Sequence, residues 1–230
     1  MTLSPTESVI FYIEKWRLFL YEVSPFPPFL FLDRLVTKCY NIQKSVERGR
    51  NMNITSNDKQ LYIILSQTGT VLSRILRVLT GAKYNHASVS LDPTLEVMYS
   101  FGRVNPYNPF FGGFVKESKK FGTFKRFINT RVLVLAIPIS TNKFELISEY
   151  LNSMYNNRNA YGYNYWGLYL AALRVRHRAK NRYYCSEFVK DILLRFDATD
   201  EKLFTAITQP AHFMQIPDAS MIYEGELKRF

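Results

Sequence analysis

Apolar positions along this chain follow two periods, and the change from one to the other divides it. In residues 7–22, Ile10, Ile13 and Leu20 fall near helical spacing, which predicts a helix with Ser4 or Thr6 as its cap. Pro25, Pro27 and Pro28 break that pattern, and a second helix is expected over about 31–48, ending near Gly49. Residues 50–59 are polar and read as a linker. Residues 1–58 are small for a core of their own and are read as an N-terminal helical extension to a main domain over 59–230. From residue 60 onward short strands enter. Gln60–Ser66 is strand-like, the turn 67–70 leads into a helix at about 71–80, and strands are expected over 84–91 and 95–101. The segment 102–122 carries Gly102, Pro106, Pro109, Gly112 and Gly113 and reads as a long loop with a short strand near Gly113–Glu117. Arg131–Ile137 is almost continuously apolar, the mark of a buried strand. Thr141 is expected to cap a helix over 142–156. Further helices are expected at 165–176, 184–196 and 200–208, and an edge strand at 220–227. The fold class is therefore α+β.

Two of these elements carry chemistry. In the helix 184–196, Phe188, Val189, Ile192, Leu193 and Phe196 form the stripe of a helix packed on a core, and Cys185 stands one turn before that stripe. A thiol at a helix N-terminus is a candidate nucleophile, because backbone N–H groups and the helix dipole favour the thiolate. In the strand 84–91, alternation puts His86, Ser88 and Ser90 on one face and Ala87, Val89 and Leu91 on the other. A polar face bearing a histidine suits a site wall, and His86 is the candidate general base. On the following strand Glu96, Tyr99 and Ser100 are the candidates to hydrogen-bond its second nitrogen and fix its tautomer. Taken alone, a free cysteine is usually a small buried hydrophobe, and a lone strand histidine is usually structural; their joint placement gives the pair its weight.

Composition narrows the partners only a little. Hydrophobic residues make up 47% and charged residues 21%, which excludes a disordered chain. A net charge of +11 favours an anionic partner, either a polymer or a membrane surface. Two basic clusters stand out, Lys116, Lys119, Lys120, Lys125 and Arg126, and Arg174, Arg176, Arg178, Lys180 and Arg182. Neither comes with a nucleic-acid recognition motif. The two cysteines, Cys39 and Cys185, exclude a disulfide framework and a thiol-built zinc cluster, so no metal and no cofactor is expected. No apolar run reaches bilayer length, and Glu14, Lys15 and Arg17 interrupt the one candidate leader; a cytoplasmic protein is expected. Segment 8–32, rich in Phe, Leu and Trp, is better read as packed than as lying on a membrane surface.

The blocks Tyr84-Asn85-His86-Ala87-Ser88-Val89-Ser90-Leu91-Asp92 and Tyr184-Cys185-Ser186-Glu187-Phe188-Val189 resemble the two signature boxes of circularly permuted NlpC-type papain-like proteins. That superfamily includes YiiX-like proteins and the lecithin retinol acyltransferase group. The resemblance covers about residues 60–200. It implies a permuted papain-like fold, with an antiparallel sheet packed on the nucleophile helix, a nucleophile at Cys185 and a base at His86. By the family's spacing Ser100 is nearest the third position, with Tyr99 beside it and Glu96 slightly early, and a serine there would be a weak orienter. The implied substrates contain amide, ester or thioester bonds. Gln67, Tyr84, Tyr184, Ser186 and Tyr165 are the candidate substrate contacts. His212 is read as a loop residue, His177 as a solvated helix end and Cys39 as a packing residue. The leading function is a thiol hydrolase or acyltransferase; the alternative is a binding module for an anionic partner, with a weakened triad.

Overall fold

In the computed structural model, which describes residues 59–68, 82–108, 111–173 and 175–230, the sheet is built outward from two long apolar strands. These are β1 (Lys59–Gln67) and β5 (Arg131–Ile139), paired antiparallel with Ile63 opposite Leu135. Central strands are covered on both faces, which is why Arg131–Ile137 reads as a near-continuous apolar run. Beyond β1 lie β2 (His86–Ser90), β3 (Met98–Arg103) and β4 (Gly112–Glu117); beyond β5 lies β8 (Ser220–Glu226). The order is β4-β3-β2-β1-β5-β8 and every pairing is antiparallel. The molecule is thus mixed α+β around a six-stranded antiparallel sheet. The helices expected over 7–22, 31–48 and 71–80, and Cys39, lie outside the described residues.

Two cores flank the sheet. On the larger side, Ala87, Val89 and Phe101 pack with Phe188 and Val189 of one helix and with Ile147 of another. The Phe188 ring lies 5.4 Å from that of Phe101 and 5.3 Å from that of Phe114. Burying such a ring is worth about 2–3 kcal/mol. The smaller core holds Ile64, Met98, Phe124, Val132, Val134 and Leu227 on the opposite face. The described helices are α1 (Gly122–Arg126), α2 (Thr141–Asn156), α3 (Tyr165–Ala172) and α4 (Cys185–Arg195). A two-stranded parallel ribbon of β6 (Gly162–Tyr163) and β7 (Arg182–Tyr183) runs directly into α3 and α4.

Several boundaries differ from the sequence expectations for local reasons. The strand expected from residue 95 begins only at Met98, because Asp92 organises a turn. Its carboxylate accepts from the N–H groups of Thr94, Glu96 and Val97, and Leu95 adopts a positive φ of 55°. Ser140, not Thr141, caps α2 by accepting from the Lys143 N–H. Helix α3 stops at Ala172, four residues short of the expected end. The expected helix 200–208 is a single 3-10 turn, Glu201–Leu203, capped by Asp200. No helix among the described residues is long and apolar enough to cross a membrane.

Candidate active site

Cys185 is the first residue of α4, following Tyr184 at an extended φ of −97° and ψ of 166°. Tyr184 offers no side-chain cap, so the first-turn N–H groups remain for a ligand. The apolar stripe seats α4 against β2 and β3, and this packing carries the buried thiol to the end of β2. His86 opens that strand. Its ring belongs to the face of the smaller core, 6.5 Å from Phe124. From the strand's end it comes close enough to Cys185 for the sulfur to favour a charge on the imidazole. The two residues picked from sequence therefore meet.

The third member is Glu117, at the end of β4. Both its carboxylate oxygens lie 3.1 Å from His86 Nε2, and Ser88 Oγ donates to Oε2 at 2.6 Å. With Nε2 taken by the carboxylate, Nδ1 is left for the sulfur. Glu117 arrives from two strands away, across small residues of β3: a Cβ on Gly102 would stand 3.3 Å from Glu117 Oε1 and 3.2 Å from Ser100 Oγ. The lane exists because Gly102 has no side chain and Ser100 only a short one.

None of the three candidates for this role holds His86. Glu96, in the Asp92 turn, is exposed and ion-paired with Lys120. Tyr99 points to the larger core, where its hydroxyl donates to Asn152 at 3.3 Å. Ser100 is fully buried on the correct face; its oxygen makes no hydrogen bond of ordinary geometry, yet it lies near enough to favour the Glu117 charge. The one signal for Glu117 in the sequence was a carboxylate at the position in β4 that follows Gly113 and Val115 on a sheet face.

Electrostatics tie the row together. Burial opposes a charge on His86, but Glu117 and then Cys185 outweigh it and hold the imidazole well above its ordinary 6.5. Burial also opposes the Glu117 charge; His86, Ser88 and Ser100 reverse this and lower the carboxyl from its ordinary 4.5. Each is the opposite charge that the other needs indoors. Burial and then the Cys185 sulfur push the Tyr163 phenol well above its ordinary 10.0, so it stays neutral beside the site.

A cavity of about 50 Å³ opens at the thiol, walled mainly by apolar groups that include Leu168, Ala171, Ile207 and Pro210. Of the expected substrate contacts, Tyr84, Tyr184 and Ser186 line it. Tyr84 donates to Glu224 at 2.8 Å, and Ser186 Oγ donates to the Thr208 carbonyl at 2.7 Å. Gln67 and Tyr165 do not line it. Gln67 ends β1 opposite Arg131, and the Tyr165 ring leans on Tyr163 at 4.6 Å. Thr208 was missed: its buried hydroxyl has no hydrogen-bond partner among the described residues, and the residue lines the cavity. His212 lies in the 3-10 turn Pro210–Gln215, where Nδ1 accepts from the Gln209 N–H, and His177 is exposed. No group of three or more His, Cys, Asp or Glu residues that would hold a metal occurs among the described residues. Compared with known protein families, curated proteins and solved structures, the chain matches none.

Proposed function

We propose that this chain is a thiol-dependent acyl hydrolase or acyltransferase with a permuted papain-like arrangement. Cys185 is the nucleophile, His86 the proton carrier and Glu117 the residue that orients and charges the imidazole. The observation that carries the reading is the row Glu117–His86–Cys185: a carboxylate on one ring nitrogen, a thiol beside the same ring, and the thiol at a helix N-terminus. Triads are recognised by such roles and geometry, not by sequence order.

The chemistry follows. Cys185 Sγ attacks a carbonyl carbon, a C–S bond forms, and the carbonyl oxygen gains the charge that the Cys185 N–H is placed to receive. The imidazolium of His86 then gives its proton to the departing amine, alcohol or thiol as that bond breaks. Neutral His86 next takes a proton from water or an acceptor alcohol or amine, whose oxygen or nitrogen attacks the thioester. The C–S bond breaks and the thiolate–imidazolium pair is restored. Glu117 keeps its charge throughout and returns the ring to the same tautomer. The apolar cavity at the thiol favours a substrate whose acyl side ends in a small apolar group. The alternative, a binding module that holds an anionic partner through its basic surface, supposes a weak third member, and the buried carboxylate on His86 favours the enzyme reading over it. Two cysteines, one of them this nucleophile, suit a reducing compartment such as the cytoplasm.

The test is competitive alkylation with iodoacetamide near neutral pH, read by peptide mass spectrometry, followed by a screen of amide, ester and thioester substrates. Cys185 is expected to react much faster than Cys39, and His86→Ala to slow it selectively. Equal, slow labelling of both cysteines in the folded protein overturns the proposal.

A further inference from the structure

Helix α3 is apolar around its whole circumference, and one side of it is left in solvent. Its inward face holds Gly167, buried, and Leu168 and Ala171, which line the thiol cavity. The outward face presents Trp166 at 70% exposure, Tyr169 at 58% and, just past the helix end, Leu173 at 57%. Those positions are three and four apart, so they form one stripe. Val175, two residues further along the chain, is half exposed as well. Exposed apolar groups clustered in this way mark an interaction surface.

The chain that follows supplies the complementary feature. Residues 165–182 contain five Lys or Arg residues and no Asp or Glu. Arg176, Arg178, Lys180 and Arg182 are exposed, and none of the ion pairs among the described residues involves them. The other basic cluster differs. Lys120 is paired with Glu96, Lys116 lies over the Tyr155 ring at 4.2 Å, and Arg126 lies over the Tyr107 ring at 4.3 Å while donating to a backbone carbonyl. In the cluster beside α3, Arg178 lies within electrostatic reach of Glu187 without forming an ion pair with it, and Arg176, Lys180 and Arg182 enter no ion pair among the described residues.

We infer that α3 and the segment 175–182 form a surface that docks on the headgroup layer of an anionic phospholipid bilayer. Trp and Tyr are the residues that settle at that depth, apolar body inward and polar tip outward. The neighbouring cations reach phosphate and carboxylate headgroups. The size of the stripe also favours a bilayer over a protein partner. An eight-residue helix is about 12 Å long and about 10 Å across, a face on the order of 120 Å² against the roughly 800 Å² per side that a stable protein interface buries. Aromatic groups beside cations also suit single-stranded nucleic acid, but Leu173 and Val175 offer nothing to a base and much to hydrocarbon. The inference stands apart from the thiol chemistry, because it uses the opposite face of α3.

The test is co-sedimentation of the full chain with vesicles of phosphatidylserine and phosphatidylcholine, against phosphatidylcholine alone, with a single-stranded oligonucleotide as a separate probe. Binding to the anionic vesicles is expected, weakening as salt rises. Each cation near an anionic surface contributes about fivefold, so R176Q/R178Q is expected to weaken binding roughly 25-fold. W166A/Y169A, with its circular dichroism unchanged, is expected to weaken it further. In the Trp16→Phe protein, Trp166 is the sole tryptophan, and its emission is expected to shift blue on binding and to be quenched by brominated lipid. Vesicle binding that survives W166A/Y169A and R176Q/R178Q, an unchanged Trp166 spectrum, or binding to the oligonucleotide alone overturns the inference.

Discussion

Replacing Glu117 by Gln is the most informative perturbation of the site, because it keeps shape and removes charge. The native carboxylate meets His86 Nε2 at 3.1 Å through both oxygens and accepts from Ser88 at 2.6 Å. Its side chain is only 8% exposed, so water cannot replace what is lost. The amide oxygen still accepts from Ser88. The amide NH₂ now donates to Nε2, which leaves the ring neutral with its proton on the nitrogen facing the sulfur. A ring in that tautomer cannot take a proton from the thiol. A hydrogen bond to a charged group contributes about 1.5–3 kcal/mol, and each 1.4 kcal/mol is a factor of about ten. Glu117→Gln is therefore expected to slow alkylation of Cys185 roughly ten- to hundredfold near neutral pH, with Cys39 unaffected as the internal control. The assay is the time course of iodoacetamide labelling, with circular dichroism to verify the fold. Labelling of Cys185 at the wild-type rate in a folded Glu117→Gln protein, while His86→Ala is slow, would refute the role given to Glu117.

The remaining predictions concern the same site and its support. For the pH dependence, raised His86 contributes stability that is full below its ordinary 6.5 and fades as pH climbs through the folded value. Lowered Glu117 contributes stability that is full above its ordinary 4.5 and fades as pH falls through its folded value. Thermal melting across pH should thus show a gain of wild type over Glu117→Gln that is greatest between 4.5 and 6.5; a pH-independent difference contradicts it. Gly102→Val fills the lane that Glu117 crosses and should bring Cys185 labelling down towards the Glu117→Gln level. Unchanged labelling would mean that the carboxylate does not need the lane. Phe188→Ala opens a cavity among Phe101, Phe114 and the sheet and should cost about 3–5 kcal/mol in urea unfolding. A loss below 1 kcal/mol, against that expected range, would mean that α4 is not held by this stripe.

How much of this was legible before the structure depends on whether the signal was local. The stripe Phe188, Val189, Ile192 and Leu193 predicts both the helix and the side on which it packs, so Cys185 was placed at its N-terminus from sequence alone. The apolar run of β5 likewise announced a central strand. The alternation of β2 put His86, Ser88 and Ser90 on one face correctly, but that face is no open wall. Ser90 is spent on the Asp92 turn, donating to the Val97 carbonyl at 2.6 Å, and Ser88 is spent on Glu117. Both serines are fully buried. Glu117 was out of reach because nothing near His86 in the chain points to it. Its carboxylate is aimed by the register of β3 against β4, with Met98 opposite Glu117 and Gly102 opposite Gly113, and by the absence of side-chain bulk at Gly102. A sequence reader looks for the third residue on the next strand, where Tyr99 and Glu96 offer stronger polar groups than Ser100. The protein uses that strand differently: β3 supplies small residues and no ligand, so that a carboxylate from the far edge can reach the imidazole. The informative positions in β3 were therefore Ser100 and Gly102 as gaps, and a buried acid one strand further on is what such gaps serve.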